Sequence, residues 1–310
     1  MRLVSYGPMG QERAGFLDGD SIIDLESAMI KSGAACPVSD MRLFLEQTDW
    51  RSTLDIAWQH RAGATATAVR SVRLGAPVPM PRKLLIAGAN THSHVAEAVS
   101  VLKEAIAPRE PMILAKATSS LCGAYDDVVH PPETKKLDYE VELGVVIGRK
   151  ARRIKASEVK DYVAGFSVIN EMSARDIQLA EHETNPFFRV HFMGKSYDTF
   201  NPMGPALVTV DEFEWGKPLK MRTLVNGEVR QSDDTDDLVF GVEQLVSYIS
   251  QAMTLFPGDV IATGSPAGVA NFMKPPGFLK PGDVVRCEIE KIGFIENPVV
   301  TENITPESKK

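Results

Sequence analysis

The stretch Tyr139-Glu140-Val141-Glu142-Leu143-Gly144-Val145-Val146-Ile147 constrains the fold more than any other part of the chain. It reads as a buried strand, yet it carries two carboxylates two residues apart. Side chains alternate along a strand, so Glu140 and Glu142 share one face. Val141, Leu143, Val145 and Ile147 take the other face and enter a core. Two uncompensated anions inside a protein are strongly unfavourable, and a divalent cation between them removes that cost. Ligands made only of oxygen select a hard ion such as Mg²⁺, Mn²⁺ or Ca²⁺. The competing reading is an exposed edge strand with two solvated acids, and the nine residues alone support both equally.

Composition narrows the classes. The 310 residues are enough for a large core and one or two domains. A net charge of −7 argues against a nucleic-acid surface or an anionic membrane as partner. The longest apolar runs, such as Leu84-Leu85-Ile86-Ala87, are strand-sized rather than membrane-spanning. One early arginine followed by the polar stretch Gly7 to Arg13 is no signal peptide. Cys36, Cys122 and Cys287 are odd in number and widely spaced. They form neither a disulfide framework nor a metal pattern, and point to reduced thiols in a cytoplasmic protein.

Three regions are expected. Residues 1–75 form a small N-terminal α/β domain, with strands at Met1 to Ser5, Ala14 to Leu17 and Ser21 to Asp24, and helices at Met41 to Glu46 and Ser52 to Arg61. Pro77, Pro79 and Pro81 mark a linker. Residues 76–300 are strand-rich, with strands at 84–87, 112–115, 139–147, 163–169, 206–210, 220–225, 260–263 and 284–289, and helices at 93–107 and 242–253. This pattern predicts a mixed α+β fold built on a β-roll or β-sandwich. Residues 301–310 are a polar tail, expected to be disordered.

Other segments carry candidate chemistry. Glu171, at the end of the strand 163–169, adds a third carboxylate to Glu140 and Glu142 and completes a plausible open Mg²⁺ site. The bland alternative is an ordinary cap with a surface Glu/Arg pair. His94 and Glu97 stand at i, i+3 on one helix face, where a carboxylate can orient an imidazole for general-base work. Such pairs are also common on solvated helices, and spacing favours that reading. Gly194-Lys195 places a cation beside a close-approach glycine, suited to stabilising an oxyanion or enolate, or simply a turn with a solvated lysine. Pro257 to Gly268 is a turn, a buried strand and a Gly-rich loop, without a phosphate-binding pattern.

Taken together and in this order, Tyr139-Glu140-Val141-Glu142-Leu143-Gly144, Ser173-Ala174-Arg175-Asp176-Ile177-Gln178, Gly194-Lys195-Ser196-Tyr197-Asp198-Thr199 and Pro257 to Val269 resemble the fumarylacetoacetate hydrolase family. The resemblance runs from about Leu84 to Val299. It implies a mixed β-roll, a homodimer and a carboxylate-bound Mg²⁺ or Mn²⁺. It also implies chemistry on 2-oxo acids and 1,3-dicarbonyls: C–C hydrolysis, decarboxylation or keto–enol isomerisation. By position it makes Glu140, Glu142 and Glu171 metal ligands, His94 and Glu97 a catalytic dyad on a lid, and Lys195 the cation that meets the substrate enolate. Asn90, Lys116, Arg175, Gln178, Thr263 and Ser265 fall at or near the implied substrate site. Residues Val99 to Pro111 are expected to shape its entrance.

Two positions depart from the family pattern. Glu171 stands where Asp is usual, one methylene longer, and Thr91 stands where Tyr commonly follows Asn90, beside a small Ala89. The resulting expectation is a metal-dependent hydrolase that cleaves a C–C bond in a 2,4-diketo acid of the acylpyruvate or fumarylpyruvate type. A decarboxylase or isomerase of a related diacid is the runner-up, and a ligand-binding member without turnover is the third class.

Overall fold

The structure, a computed structural model, describes residues 1–33, 40–102, 108–181, 184–185 and 189–303. Its centre is a large sheet in which Val141–Ile147 lies between Val163–Asn170 and Val260–Ala262. The sheet continues through Leu84–Gly88 to Met112–Lys116 on one side, and through Asn201–Thr209 to the N-terminal strands on the other. A second sheet of five strands contains Lys220–Val225, Val284–Ile289 and Gly293–Thr301. This is the mixed α+β architecture that the strand pattern predicts.

All seven residues of Val141–Ile147 are buried, which rules out an exposed edge strand. The odd-numbered residues Val141, Leu143, Val145 and Ile147 pack with Met221, Val225, Val285, Cys287 and Ile289 of the second sheet. Val146, on the opposite face, packs with Leu84, Ile86, Val260 and Ala262 and with Phe44, Leu45 and Trp50 from the helical N-terminal segment. Each fully buried Val, Leu or Ile contributes roughly 1.5–3 kcal/mol of transfer free energy, so the strand is held from both sides. Glu142 has no solvated alternative.

The strand starts at Val141 rather than Tyr139, because Tyr139 and Glu140 form an extended link after the short strand Leu137–Asp138. There the Glu140 amide donates to Asn170 Oδ1 at 3.0 Å instead of joining a ladder. The N-terminal strands are continuous with the main sheet, Arg2–Tyr6 pairing antiparallel with Asn201–Thr209. The prolines after residue 75 pack rather than swing: Val78 is fully buried and Ser5 Oγ donates to Pro77 O at 2.8 Å. A helix at Leu25–Lys31, capped by Asp24 accepting from the Ser27 amide, and strands at Glu228–Asp234 and Gly293–Thr301 add to the expected elements. The helix expected over 93–107 is His92–Leu102 as described. Its continuation to residue 107, part of the 99–111 entrance, Cys36 and most of the tail from residue 304 lie outside the described residues.

The joint between the central strands and the N-terminal half depends on a glycine. A Cβ on Gly165 would lie 2.0 Å from the Val208 carbonyl oxygen of the neighbouring strand. Gly165→Val should therefore part the two strands and cost about 1–3 kcal/mol or more. Urea unfolding checks this as a lowered midpoint at unchanged slope.

Candidate active site

Glu142 projects from the central strand, Glu140 from the link before it, and Glu171 from the residue after Val163–Asn170. The Glu171 amide donates to the Glu140 carbonyl at 2.8 Å, and this sets the third carboxylate beside the first. One oxygen from each of Glu140, Glu142 and Glu171 lies within 4.8 Å of the others, and all three residues are buried. The extra methylene of Glu171 does not carry its carboxylate out of the group.

Three buried cations surround these acids. Lys195 Nζ donates to Glu171 Oε2, to Ser173 Oγ at 2.8 Å and to Glu140 Oε2 at 3.3 Å. Lys116 Nζ donates to Glu171 Oε1 at 2.7 Å and to the Phe200 and Met172 carbonyls. Arg175 bridges Glu140 Oε1 and Asp138 Oδ2, each at 2.8 Å. Four buried carboxylates, counting Asp138, thus face three buried cations. Burial alone would push Glu140 up, but the Arg175 and Lys195 charges hold its carboxyl well below the usual range. Glu142 has no ion-pair partner among the described residues: burial, then the charges of Glu171 and Glu140, push it well above the usual range, against the Gly264 amide and the charge of Lys195. It accepts a hydrogen bond from the Gly264 amide at 2.7 Å. An all-oxygen donor set with one unneutralised carboxylate fits a hard divalent cation.

The helix His92–Leu102 brings His94 to the same place. Its first turn is tied down from outside, since the Ser93 amide and hydroxyl donate to Asp237 and the Ala267 amide donates to Ser93 Oγ. The Gly268 amide donates to both oxygens of Glu97, at 3.1 and 3.2 Å. Gly268 has φ +102°, and a Cβ there would meet the Arg230 carbonyl oxygen at 2.1 Å, so only glycine places that amide. His94 Nδ1 lies 3.5 Å from Glu97 Oε2 and Nε2 lies 3.9 Å from Glu140 Oε1. The i, i+3 pair is therefore half-buried at the carboxylates rather than solvated.

A cavity of about 160 Å³ joins these groups, lined by His94, the three glutamates, Arg175, Gln178, Lys195 and Ser265, with Ala89, Met112, Leu114 and His191. The remaining expected residues sit behind this wall. Lys116 spends its three hydrogens on Glu171 and two carbonyls. Asn90 donates to the Thr263 and Phe240 carbonyls and accepts from the Phe240 amide, which fixes the loop beneath the cavity. The Thr263 amide donates to the Leu143 carbonyl, and Thr263 Oγ1 is buried without a hydrogen-bond partner among the described residues. Thr91, at the position where the family commonly has Tyr, donates to the Ser265 carbonyl at 2.6 Å and so pins the helix start.

Two lining or supporting residues were not anticipated. Asp138 was detectable, because Asp138, Glu140 and Glu142 alternate with period two. It accepts from Arg175 and from the Ala270 and Asn271 amides. His191 stands four residues before Lys195 on the helix His191–Lys195, a spacing that puts both on one face.

Comparison with known proteins agrees with this geometry. Residues 83–300 match the family described as Fumarylacetoacetate (FAA) hydrolase C-terminal. The chain belongs to the fumarylacetoacetate hydrolase family. The human mitochondrial oxaloacetate tautomerase FAHD2A is 45% identical over 261 residues, covering 84% of this chain and 79% of that protein. A putative HpcE protein from Mycobacterium smegmatis superposes with a TM-score of 0.82 at 33% identity, covering 98% of this chain and 100% of that one. The maleylpyruvate hydrolase of Sphingobium sp. SYK-6, solved with manganese(II) and pyruvate, gives 0.77 at 29% identity, covering 98% and 100%. Members of this fumarylacetoacetate hydrolase family thus include tautomerases and hydrolases, and one solved relative holds a divalent metal.

For this member, the sign of the Glu142 shift makes a prediction. A carboxyl whose folded pKa is raised binds more protons in the folded state. Metal-free stability should therefore fall as pH rises above the ordinary value of 4.5. Mn²⁺ should restore it at neutral pH, by about 2.7 kcal/mol at a hundredfold excess over Kd. Glu142→Gln should remove both the fall and the metal response. Thermal unfolding across pH, with and without Mn²⁺, checks all three.

Proposed function

We propose that this protein is a metal-dependent tautomerase that interconverts the keto and enol forms of a short 2-oxo diacid of the oxaloacetate type. The observation that carries the reading is the pairing of one histidine, backed by Glu97 and facing three carboxylates, with a cavity of only about 160 Å³. Pockets for drug-sized ligands are ~300–1,000 Å³, so this one suits a substrate of a few carbons. The 45% identity to a human oxaloacetate tautomerase supports the same choice.

Glu140, Glu142 and Glu171 would hold Mg²⁺ or Mn²⁺, which when bound supplies Lewis-acid polarisation of the 2-oxo group. His94 takes the proton from C3, and the carboxylate of Glu97 at its Nδ1 side favours the resulting imidazolium. Return of a proton to the 2-oxygen gives the enol, so a proton moves from C3 to oxygen and nothing is gained or lost. Lys195 and Arg175 keep Glu140 ionised and oriented, and contribute positive potential beside the developing oxyanion. Lys195 spends its hydrogens on Glu171, Glu140 and Ser173, so its contribution is through charge and positioning. Burial of the site keeps water away from the enol.

C–C hydrolysis of an acylpyruvate-type substrate, the leading expectation from sequence, becomes the second reading. It is favoured by the 29% identity to a maleylpyruvate hydrolase bound to manganese and pyruvate. There His94 would take its proton from water instead of carbon, and the cavity would have to admit the longer substrate and that water. Family resemblance supports a homodimer. Cys122 and Cys287 are buried and unpaired, in keeping with a reducing compartment such as the cytoplasm, while the human relative's name places that protein in mitochondria. No helix among the described residues is long and apolar enough to cross a membrane.

Enol absorbance of oxaloacetate, followed with and without enzyme, tests the reading. Wild type with Mn²⁺ should speed its decay to equilibrium without releasing CO₂ or a cleavage product, and His94→Ala should lose ~10²–10⁴-fold of that rate while still binding Mn²⁺. Rapid cleavage of an acylpyruvate with no effect on the oxaloacetate enol would transfer the assignment to the hydrolase.

A further inference from the structure

The proposed chemistry leaves Gln178, His191 and Ser265 of the cavity wall unused. His191 lines the cavity at the start of the helix His191–Lys195. Its position is set closely, because Gly194 on the same helix lies against the Gln178 backbone, where a Cβ would come within 2.5 Å of Gln178 N and Cα. Any other residue would lift the helix, and His191 with it, off Gln178.

A chain of hydrogen bonds fixes the state of the imidazole. Arg175 Nη1 donates to Gln178 Oε1 at 3.1 Å, and a guanidinium can only donate. That settles the orientation of the Gln178 amide, so its Nε2 is the atom 3.2 Å from His191 Nδ1. Nε2 of an amide is a donor, which makes Nδ1 the acceptor and leaves the ring proton on Nε2. Burial, with the charges of Lys195, Arg189 and Arg175, lowers the pKa of His191 and favours this neutral tautomer. Arg175 itself is anchored by Asp138 and Glu140, so the polarity of the relay originates in the same ion pairs that order the carboxylates.

We propose that His191 is a specificity residue whose Nε2–H, oriented through Arg175 and Gln178, recognises a second carboxylate on the substrate, so that the site selects oxo-dicarboxylates over 2-oxo monocarboxylates. The inference rests on the reading of this cavity as the substrate site. A neutral donor in a half-buried wall gives a carboxylate a charge-assisted hydrogen bond. A methyl group at that position would leave the donor and its polarised relay unpaired. The discrimination is therefore two-sided: a gain for the dicarboxylate and a penalty for the monocarboxylate.

Two unreactive probes share one 2-hydroxy-carboxylate end and differ at the other: L-malate carries a second carboxylate, L-lactate a methyl group. Calorimetric titration of the Mn²⁺-loaded protein should show malate binding roughly 10- to 100-fold tighter than lactate, the usual value of a hydrogen bond to a charged group. His191→Phe should abolish that preference by weakening malate while leaving lactate binding in place, which also shows that the variant is folded. His191→Gln, which keeps a donor, should retain part of the preference. In the wild type, ¹⁵N imidazole NMR should report His191 protonated at Nε2. Equal affinity for the two probes in the wild type, equal losses for both probes in His191→Phe, or an Nδ1-protonated ring would overturn the proposal. Malate preference without any acceleration of oxaloacetate enol decay would support this assignment and defeat the tautomerase reading alone.

Discussion

The interaction on which the rest of the structure depends is the burial of Glu140, Glu142 and Glu171 among Lys116, Arg175 and Lys195. Removing several charges from water costs several kcal/mol per ion unless each finds close partners. Here Glu140 and Glu171 are each gripped by two cations, and Asp138 and Arg175 close the network from behind. Among the described residues Glu142 alone has no cation paired with it, and its ionised form is the one that the network leaves uncompensated. Hydrophobic packing on both faces of Val141–Ile147 forces this arrangement, because the strand cannot turn its acids outward without exposing one of two cores.

That constraint also organises the reactive groups. The carboxylates lie at the end of a strand held by neighbours on both sides, so their spacing is set by backbone pairing rather than by side-chain freedom. The two cavity histidines arrive on separate helices, each locked by a glycine. Gly268 brings the amide that holds Glu97 behind His94, and Gly194 seats the helix of His191 on Gln178. One imidazole is backed by a carboxylate and suits proton transfer. The other is backed by an amide relay and suits hydrogen-bond donation. The same side chain type is thereby suited to two roles by two environments.

Much of this was legible in the chain itself. The period-two acids within an apolar run marked the central strand, and motif order identified the family. His94 and Glu97 were legible only as a spacing: a solvated helix pair and a buried dyad have the same i, i+3 signature, and what separates them is Asp237, Ala267 and Gly268, which are remote in sequence. Lys116 and Asn90 were placed near the substrate by resemblance, but their hydrogen bonds turn them into supports for Glu171 and for the loop at Thr263. A residue's partners cannot be read from its own neighbourhood. The strand limit at Val141 was missed because Tyr139 and Glu140 have strand-like sequence while their amides bond to Asp138 and Asn170 side chains. The helix Leu25–Lys31, capped by Asp24, is too short for its periodicity to stand out.

Glu142 is the member of the buried trio with no cation paired to it among the described residues, and a divalent cation bound by all three glutamates would compensate it. Calorimetric titration of Mn²⁺ into the wild-type protein at neutral pH, repeated in buffers of different ionisation enthalpy, tests it most directly. One ion should bind per chain with net release of protons, since burial and the neighbouring carboxylates favour the protonated form of Glu142 and a metal takes the ionised one. Absence of binding at millimolar Mn²⁺, or binding with no proton released, would contradict it.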